Sequence, residues 1–218
     1  MSMSYDPSST TPNRRAVTKF LLPGAALALL IGAALDTKVV RIGSPEDQRS
    51  EAFSAEAYGK KTFPMLQTAI ESAAVDAQTL AAAIAADKAA AGERYGKPGS
   101  VGPIFPVKLS GVAGELRSGV VTVAVQGLPA GMQVRVQTGP AINGTDVRDA
   151  TGTISFGQFT NQIEYQDAGA ALNDQIKIQV LGNLDRDKLS GKNVEVAGVF
   201  QLINPTSWLV TPVRMSVQ

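Results

Sequence analysis

The sequence of 218 residues contains neither cysteine nor histidine. Without cysteine the chain forms no disulfide and carries no lipid through a thioether, so its stability must come from packing. Without either residue, Ser-His-Asp and Cys-His catalytic sites and zinc sites with nitrogen or sulfur ligands are excluded. Any metal ion bound by this chain would have to be a hard ion with oxygen ligands. The sequence therefore predicts no cofactor.

Strong charge of one sign is also missing, and aromatic residues are scarce. Lysine and arginine number 20 against 19 aspartate and glutamate residues, and only 6% of the residues are aromatic. Nucleic-acid binding needs a basic surface, and single strands need aromatic side chains on which bases stack. The composition therefore predicts no nucleic-acid partner.

Long apolar runs are limited to one, residues 20–35, which follows Arg14, Arg15 and Lys19. Cations ahead of an apolar segment are what bacterial export machinery recognises. As a helix the run spans about 24 Å, a little less than the hydrocarbon core of about 30 Å. A cleaved signal peptide and a retained anchor both stay open, since Gly32 and Ala34 offer a cleavage site, but we expect the anchor. We therefore place an anchor helix at residues 14–35 after a disordered tail at 1–13, with the anchor in the inner membrane and the bulk of the chain in the periplasm.

Residues 36–99 are predicted to form a helical segment. Residues 36–42 look extended, and Ser44 is a capping residue for a helix that we expect to end at Gly59. A second helix is predicted from Thr62, packed on a neighbour or paired in a coiled-coil dimer, with a break near Ala74. Its apolar residues follow heptad spacing: Phe63, Leu66, Ile70, Ala73, Ala77, Leu80 and Ile84.

Residues 100–218 are predicted to form a β-rich domain. Alternating or β-branched patterns predict strands at 106–116, 120–126, 133–137, 152–156, 192–203 and 207–217, and a helix at 165–184. The run 120–125 is apolar almost throughout, which predicts a strand covered on both faces. This order is typical of a small barrel of the oligonucleotide/oligosaccharide-binding (OB) type with one helix, and Gly198 would permit the bend that a barrel needs. The predicted fold class is α+β, with another sandwich or barrel as the alternative.

Polar residues are densest in residues 135–152, which we call the polar block. Arginines there could hold carboxylates in bidentate fashion, either inside the protein or on a ligand. Both a loop that satisfies itself and a ligand-binding loop stay open. A third possibility is a hydrolase that uses Asp146 and Asp149, although a paired arginine suits a general acid poorly. The candidate ligand-binding residues are Arg135, Thr138, Asn143, Thr145, Asp146, Arg148 and Asp149, with Asn161 and Gln162 just downstream.

Several of these segments resemble one bacterial family. Residues 134–146, 148–150, 156–159 with Asn161 and Gln162, 202–205 and 210–213 are similar to domain of unknown function 2291, as are 83–87 and the Tyr95-Gly96 pair. The resemblance implies an exported, membrane-tethered lipoprotein, often encoded beside sugar ABC transporters, and no known reaction. Leu35-Asp36 stands where a lipidated cysteine would be expected, which favours the apolar helix itself as the anchor.

The function predicted from these observations is that of a non-catalytic, membrane-anchored periplasmic accessory or small-ligand-binding protein. The resemblance adds association with a sugar ABC uptake system. The expected partners are the membrane, through the N-terminal helix, and transporter components or a small polar ligand. A periplasmic hydrolase and a structural interaction module of the envelope are the alternatives.

Overall fold

The structure is a computed structural model that describes Leu27, residues 29–33 and residues 53–218. The chain divides into two compact units, Met1–Ala52 and Phe53–Gln218. In the first unit, Leu27 and residues 29–33 are helical, and the side chains of Leu29, Leu30 and Ile31 are exposed. The predicted tail at 1–13, most of the predicted anchor, the extended segment 36–42 and the helix start at Ser44 lie outside the described residues.

Within residues 27, 29–33 and 53–218, no helix has both the length and the apolar character needed to cross a membrane.

The first helix of the second unit, α1 (Ala55–Ala73), begins at Ser54, whose Oγ accepts a hydrogen bond from the Ala57 amide at 3.3 Å. The predictions that a helix ends at Gly59 and that another starts at Thr62 are wrong, because α1 runs through both positions. Gly59 is buried, and a Cβ there would lie 2.8 Å from the Ala171 carbonyl oxygen. The glycine serves close packing between two helices and not helix termination.

The predicted break near Ala74 is confirmed. The short strand β1 (Val75–Asp76) separates α1 from α2 (Ala77–Ala86), and α3 (Lys88–Tyr95) follows. Because of this break, the heptad-spaced residues do not form one seam. Phe63, Leu66 and Ile70 join one buried cluster, and Ala77, Leu80 and Ile84 join another.

Five strands form a closed circuit of pairings: β2 (Ile104–Arg117), β3 (Val120–Ala124), β4 (Gln133–Gln137), β5 (Asn193–Gln201) and β6 (Ser207–Val217). Around the circuit β2 pairs with β3, β3 with β4, β4 with β6, β6 with β5, and β5 with β2. The β4–β6 pairing is parallel, the other four are antiparallel, and β1 adds in parallel to β2. The six-stranded sheet with its helices confirms the α+β class.

A bend at Gly198 is visible as a register shift between Ala197 and Gly198 in the pairing of β5 with β6. A Cβ at Gly198 would lie 2.4 Å from the Thr211 carbonyl oxygen, so the two backbones meet there more closely than any side chain allows. The close approach of β6 explains why glycine stands at this position.

Three local predictions differ from the structure. Residues 152–156 form no strand and lead into a 3₁₀ turn, Phe156–Gln158. β3 is covered on one face only, because Val121 and Val123 are buried whereas Thr122 and Ala124 are exposed. The predicted helix at 165–184 is present as α5 (Gln162–Gln175) and a π-helical turn, Ile176–Val180.

The buried residues form two clusters. The first holds Phe200 and Trp208, whose rings stack at 4.3 Å, together with residues of α2 and of all five strands in the circuit. The second joins α1 and α5 to β5 and β6 through residues such as Leu172 and Val199. The polar block belongs with this second cluster, because its Val147 and Ala150 are buried in it.

Candidate functional site

The polar block lies along one side of α5. Its residues contact Tyr165, Gly169 and Asn173, which are spaced by four and therefore share a face of the helix. Residues 146–149, predicted to be loop, form a short helix, α4 (Asp146–Asp149). The turn of α4 places Arg148 over α5.

An ion pair between adjacent residues is the centre of the block. The Nε of Arg148 donates to Oδ1 of Asp149 at 2.7 Å, and its Nη2 donates to Oδ2 at 3.0 Å. The side chain of Arg148 is only 9% exposed, and that of Asp149 is 24% exposed. The predicted internal bidentate pair is therefore confirmed for these two residues.

Tyr165 completes the surroundings of the guanidinium. Nη1 of Arg148 donates to the Tyr165 carbonyl at 3.2 Å, and the guanidinium carbon lies 3.7 Å from the centre of the tyrosine ring. Burial, assisted by the charge of Asp149, raises the pKa of Tyr165, so its hydroxyl stays protonated and donates to Asp149 Oδ1 at 3.4 Å. Every nitrogen of the guanidinium thus has a protein acceptor.

Asp149 receives a further bond, from the Thr145 hydroxyl to Oδ2 at 2.8 Å. With Arg148, Thr145 and Tyr165 around it, its carboxylate is occupied on both oxygens. Asp146 is half-buried, and burial is the main reason why its pKa is raised; the charge of Asp149 adds to this, and the backbone of Gln201 opposes it. The two aspartates therefore differ in environment: one is held by an arginine, the other is partly desolvated.

Two buried amides that the sequence analysis missed hold the loop before α4. The amide of Gln137 brackets Asn143: its Oε1 accepts from the Asn143 N–H at 2.9 Å, and its Nε2 donates to the Asn143 carbonyl at 3.0 Å. Asn173 donates to the Gly144 carbonyl at 2.9 Å. In the sequence, each amide stands among apolar residues of a strand or a helix, and this pattern is the signal that indicates a buried polar side chain. Their bonds fix the backbone and leave the Asn143 side chain exposed.

Other predicted residues lie outside this cluster. Thr138 is buried and its hydroxyl donates to the Gly119 carbonyl at 3.1 Å, which supports the turn between β2 and β3. Arg135 was predicted to pair with a carboxylate; its Nη2 instead donates to the Ser207 hydroxyl at 3.2 Å, and its Nε has no partner among the described residues. The strand register explains this, because Arg135 lies opposite Thr122 and Leu209.

The two downstream candidates stand at the start of α5. Oδ1 of Asn161 accepts from the Glu164 amide at 2.9 Å and caps the helix. Gln162 is exposed, and its side chain has no hydrogen-bond partner in the described part of the chain. Beside them lies Phe156, half-exposed, with its ring edge against Tyr165 at 5.8 Å.

Tyr165 also belongs to a group of packed aromatic rings. The ring of Phe159 contacts those of Phe53, Tyr58 and Tyr165 at 5.4–5.6 Å. Since Phe53 and Tyr58 lie at the start of the second unit, these contacts join α1 to the polar block. No pattern in the sequence indicates this group of rings, because its members are far apart in the chain.

The described residues hold no cluster of acidic side chains suited to a metal ion. What the block offers instead is a buried, saturated ion pair together with exposed amide, hydroxyl and aromatic groups in and just after the block. Such a surface can bind and orient a polar molecule, whereas its arginine-bound carboxylate is poorly placed to transfer a proton.

The fold defines the class of protein to which this chain is similar. The crystal structure of an OB-fold protein from Thermotoga maritima superposes with a TM-score of 0.61 at 18% sequence identity, over 77% of this chain and 100% of that one. The sequence family is domain of unknown function 2291, described as predicted periplasmic lipoproteins, whose model matches residues 25–216. The chain belongs to this family. No functionally curated protein matches the sequence.

Proposed function

We propose that this chain is a non-catalytic, membrane-anchored periplasmic protein that binds a small polar ligand at the polar block. The observation that carries the proposal is the presence of two exposed amide side chains, Asn143 and Gln162, that no protein group in the described part of the chain occupies. The Arg148–Asp149 pair is saturated by internal partners and is itself unavailable to a ligand. The pair orders the block, while the side chains of Asn143 and Gln162 stay exposed and have no hydrogen-bond partner in the described part of the chain. A rigid base under free amides is suited to binding.

The same contacts argue against the hydrolase alternative. An acid–base pair needs one carboxyl that protonates readily and a second that reaches the substrate or a water. Asp146 has a raised pKa, but Asp149 is held by an arginine, a threonine and a tyrosine. Nothing in this geometry frees the second carboxylate.

The circuit of five paired strands supports a small barrel of the OB type as the scaffold of the proposed site. OB barrels bind oligonucleotides or oligosaccharides with their strands and connecting loops. The near-neutral charge of this chain favours an uncharged polar ligand such as a sugar or polyol over a nucleic acid.

A thermal scan of residues 53–218 with a panel of sugars and polyols tests the proposed site. A ligand at 100 times its dissociation constant adds about 2.7 kcal/mol to the free energy of unfolding, which a scan resolves easily. The shift should disappear in Asn143→Ala and Asp146→Ala and persist in Asn183→Ala, an exposed asparagine remote in sequence from the block. If no compound shifts the melting temperature, the small-ligand proposal fails and an envelope interaction module becomes the better explanation.

The anchor is the second part of the proposal. Arg14, Arg15 and Lys19 precede the apolar run, and the sequence has no cysteine for lipidation, so we propose that residues 14–35 remain in the inner membrane. Fractionation of expressing cells should recover the full-length chain with the membrane, accessible to protease from the periplasmic side. A shortened chain in the soluble periplasmic fraction would rule out the retained anchor.

The third part of the proposal is that the chain associates with a sugar ABC uptake system, and the family resemblance alone supports it. Chemical crosslinking in cells that express the chain together with the host's sugar ABC transporters should link the second unit to a transporter component. A crosslink that is unchanged when the transporter genes are deleted would contradict this part and leave the ligand site untouched.

A further inference from the structure

A second candidate site lies next to α3. It is a groove of about 780 Å³ formed by α3 and the loop 96–103, and we call it the α3 groove. Pockets of about 300–1,000 Å³ with mostly apolar walls and a few polar groups are the usual sites of small-molecule binding. The groove has this size, and its walls contain much glycine, alanine and proline.

The walls of the groove are held close together by small residues. A Cβ at Gly92 would lie 3.3 Å from Cγ of Pro103, and a Cβ at Gly96 would lie 3.2 Å from the ring of Phe105. No large side chain fills the groove, and Val101 on its wall is 72% exposed. Exposed apolar surface that lines a concave site is the kind that a ligand covers.

The polar groups of the groove favour an anion. Lys88 and Lys97 both line it, and neither has an ion-pair partner in the described part of the chain. Glu93 is the only acidic side chain in the lining, so the groove carries an excess of positive charge.

Backbone donors add to this preference. In residues 53–218 the N–H groups of Gly99, Ser100, Val101 and Gly102 meet no protein acceptor, although the Gly102 carbonyl and the Ser100 hydroxyl both accept from Gln201. The lining of the groove thus includes four successive residues whose N–H groups are free within residues 53–218, together with two lysines that form no ion pair there. An anionic oxygen is the partner that suits both kinds of donor.

We propose that the α3 groove binds a medium-chain fatty acid, with the acyl chain against the apolar wall and the carboxylate at Lys88, Lys97 and the free amides of residues 99–102. The apolar wall accounts for the chain, and the unpaired cations account for the carboxylate. A neutral alcohol of the same length would cover the wall and leave the charge unmatched. The lining of this groove shares no residue with the polar block, although Gln201 touches both: its side chain donates to the Gly102 carbonyl, and its backbone forms a hydrogen bond with Asp146.

Photolabelling of the full chain in a non-ionic detergent tests the proposal. The probe is decanoic acid that carries an aliphatic diazirine, and the label is mapped by peptide mass spectrometry. We expect the label to concentrate in residues 88–103 and to be displaced there by excess decanoate. In the double variant Lys88→Gln/Lys97→Gln, binding at that segment should weaken about fivefold or more, since an exposed ion pair contributes up to about 1 kcal/mol.

Two controls decide the outcome. Lys192→Gln, another exposed lysine with no ion pair among the described residues, should leave the labelling unchanged, and circular dichroism melts should show that all variants remain folded. A decanol probe with the same diazirine should label the groove weakly. Equal labelling by decanol, or decanoate labelling spread over the chain and indifferent to the lysine variant, would overturn the proposal.

Discussion

Replacement of Arg148 by methionine is the sharpest test of the polar block. Methionine keeps much of the aliphatic volume of arginine and removes the charge together with its hydrogen bonds. Two bonds to Asp149, one to the Tyr165 carbonyl and the contact with the tyrosine ring disappear at once. Asp149 is left with a negative charge that is three-quarters buried and supported by neutral donors only.

The size of the effect follows from this geometry. Removal of one partner of a buried ion pair costs about 3–5 kcal/mol, because the remaining charge is uncompensated. Asp149 keeps some exposure and the Thr145 bond, so we expect the free energy of unfolding to fall by about 2–3 kcal/mol. For a unit of this size, each kcal/mol lowers the melting temperature by about 2–4 °C, so the loss should be about 5–10 °C.

Urea unfolding of residues 53–218 measures this loss. Arg94→Met is the matched control, because Arg94 is exposed, lies 5.0 Å from the Tyr95 ring and forms no ion pair with a described residue; it should cost less than about 0.5 kcal/mol. A double-mutant cycle with Asp149→Ala should show coupling of at least about 1 kcal/mol. Equal losses in Arg148→Met and Arg94→Met, or additive effects in the cycle, would refute the argument that the pair orders the block.

Three further predictions concern single positions. Gly59→Ala should lower the melting temperature in a thermal scan in spite of alanine's better helix propensity, because its Cβ would lie 2.8 Å from the Ala171 carbonyl oxygen; Gly157→Ala, with open space around it, is the control. Asp146→Asn should be more stable than the wild type at pH 7 and equal to it near pH 3. Burial raises the pKa of Asp146 in the folded state, so the wild type loses stability as the pH rises from the ordinary carboxyl pKa through the folded-state pKa. Urea titrations across pH 3–7 measure the difference in stability between the two proteins, and a difference that does not change with pH would contradict this prediction. Arg135→Ala should cost about 1 kcal/mol by chemical denaturation, less than Arg148→Met, because only a hydroxyl is lost as its partner.

Much of the sheet could be predicted because its signal is local. The bounds of β4 and β6 agree with the predicted ones, and β2 extends the predicted strand by two residues at its start and by one at its end. In β4, for example, Val134 and Val136 alternate with polar residues, and that period belongs to the sequence itself.

The helices show where local signals mislead. A glycine at position 59 predicts the end of a helix, yet Gly59 lies inside α1, because the backbone of α5 at Ala171 packs too close to leave room for a side chain. The seven heptad-spaced residues suggest one partner, but the helix break at β1 places three of them in each of two cores, and Ala73 is exposed. Both errors have the same cause. A glycine or an apolar period indicates that a residue packs closely or is buried, but it does not indicate which element it packs against.

The sequence by itself determined the absence of cysteine and histidine chemistry, the α+β class, most strands and the position of the polar block. Membership of the family follows from the same residues. Only the tertiary structure decided which arginine has a carboxylate: Arg148 and Asp149 meet because α4 turns them over Tyr165, whereas strand register puts Arg135 beside Ser207. Periodicity and composition act over a few residues and are legible in the chain, but which charged side chains become buried, and therefore need a partner, depends on elements far apart in sequence, whose relative placement is set by the packing of the whole unit.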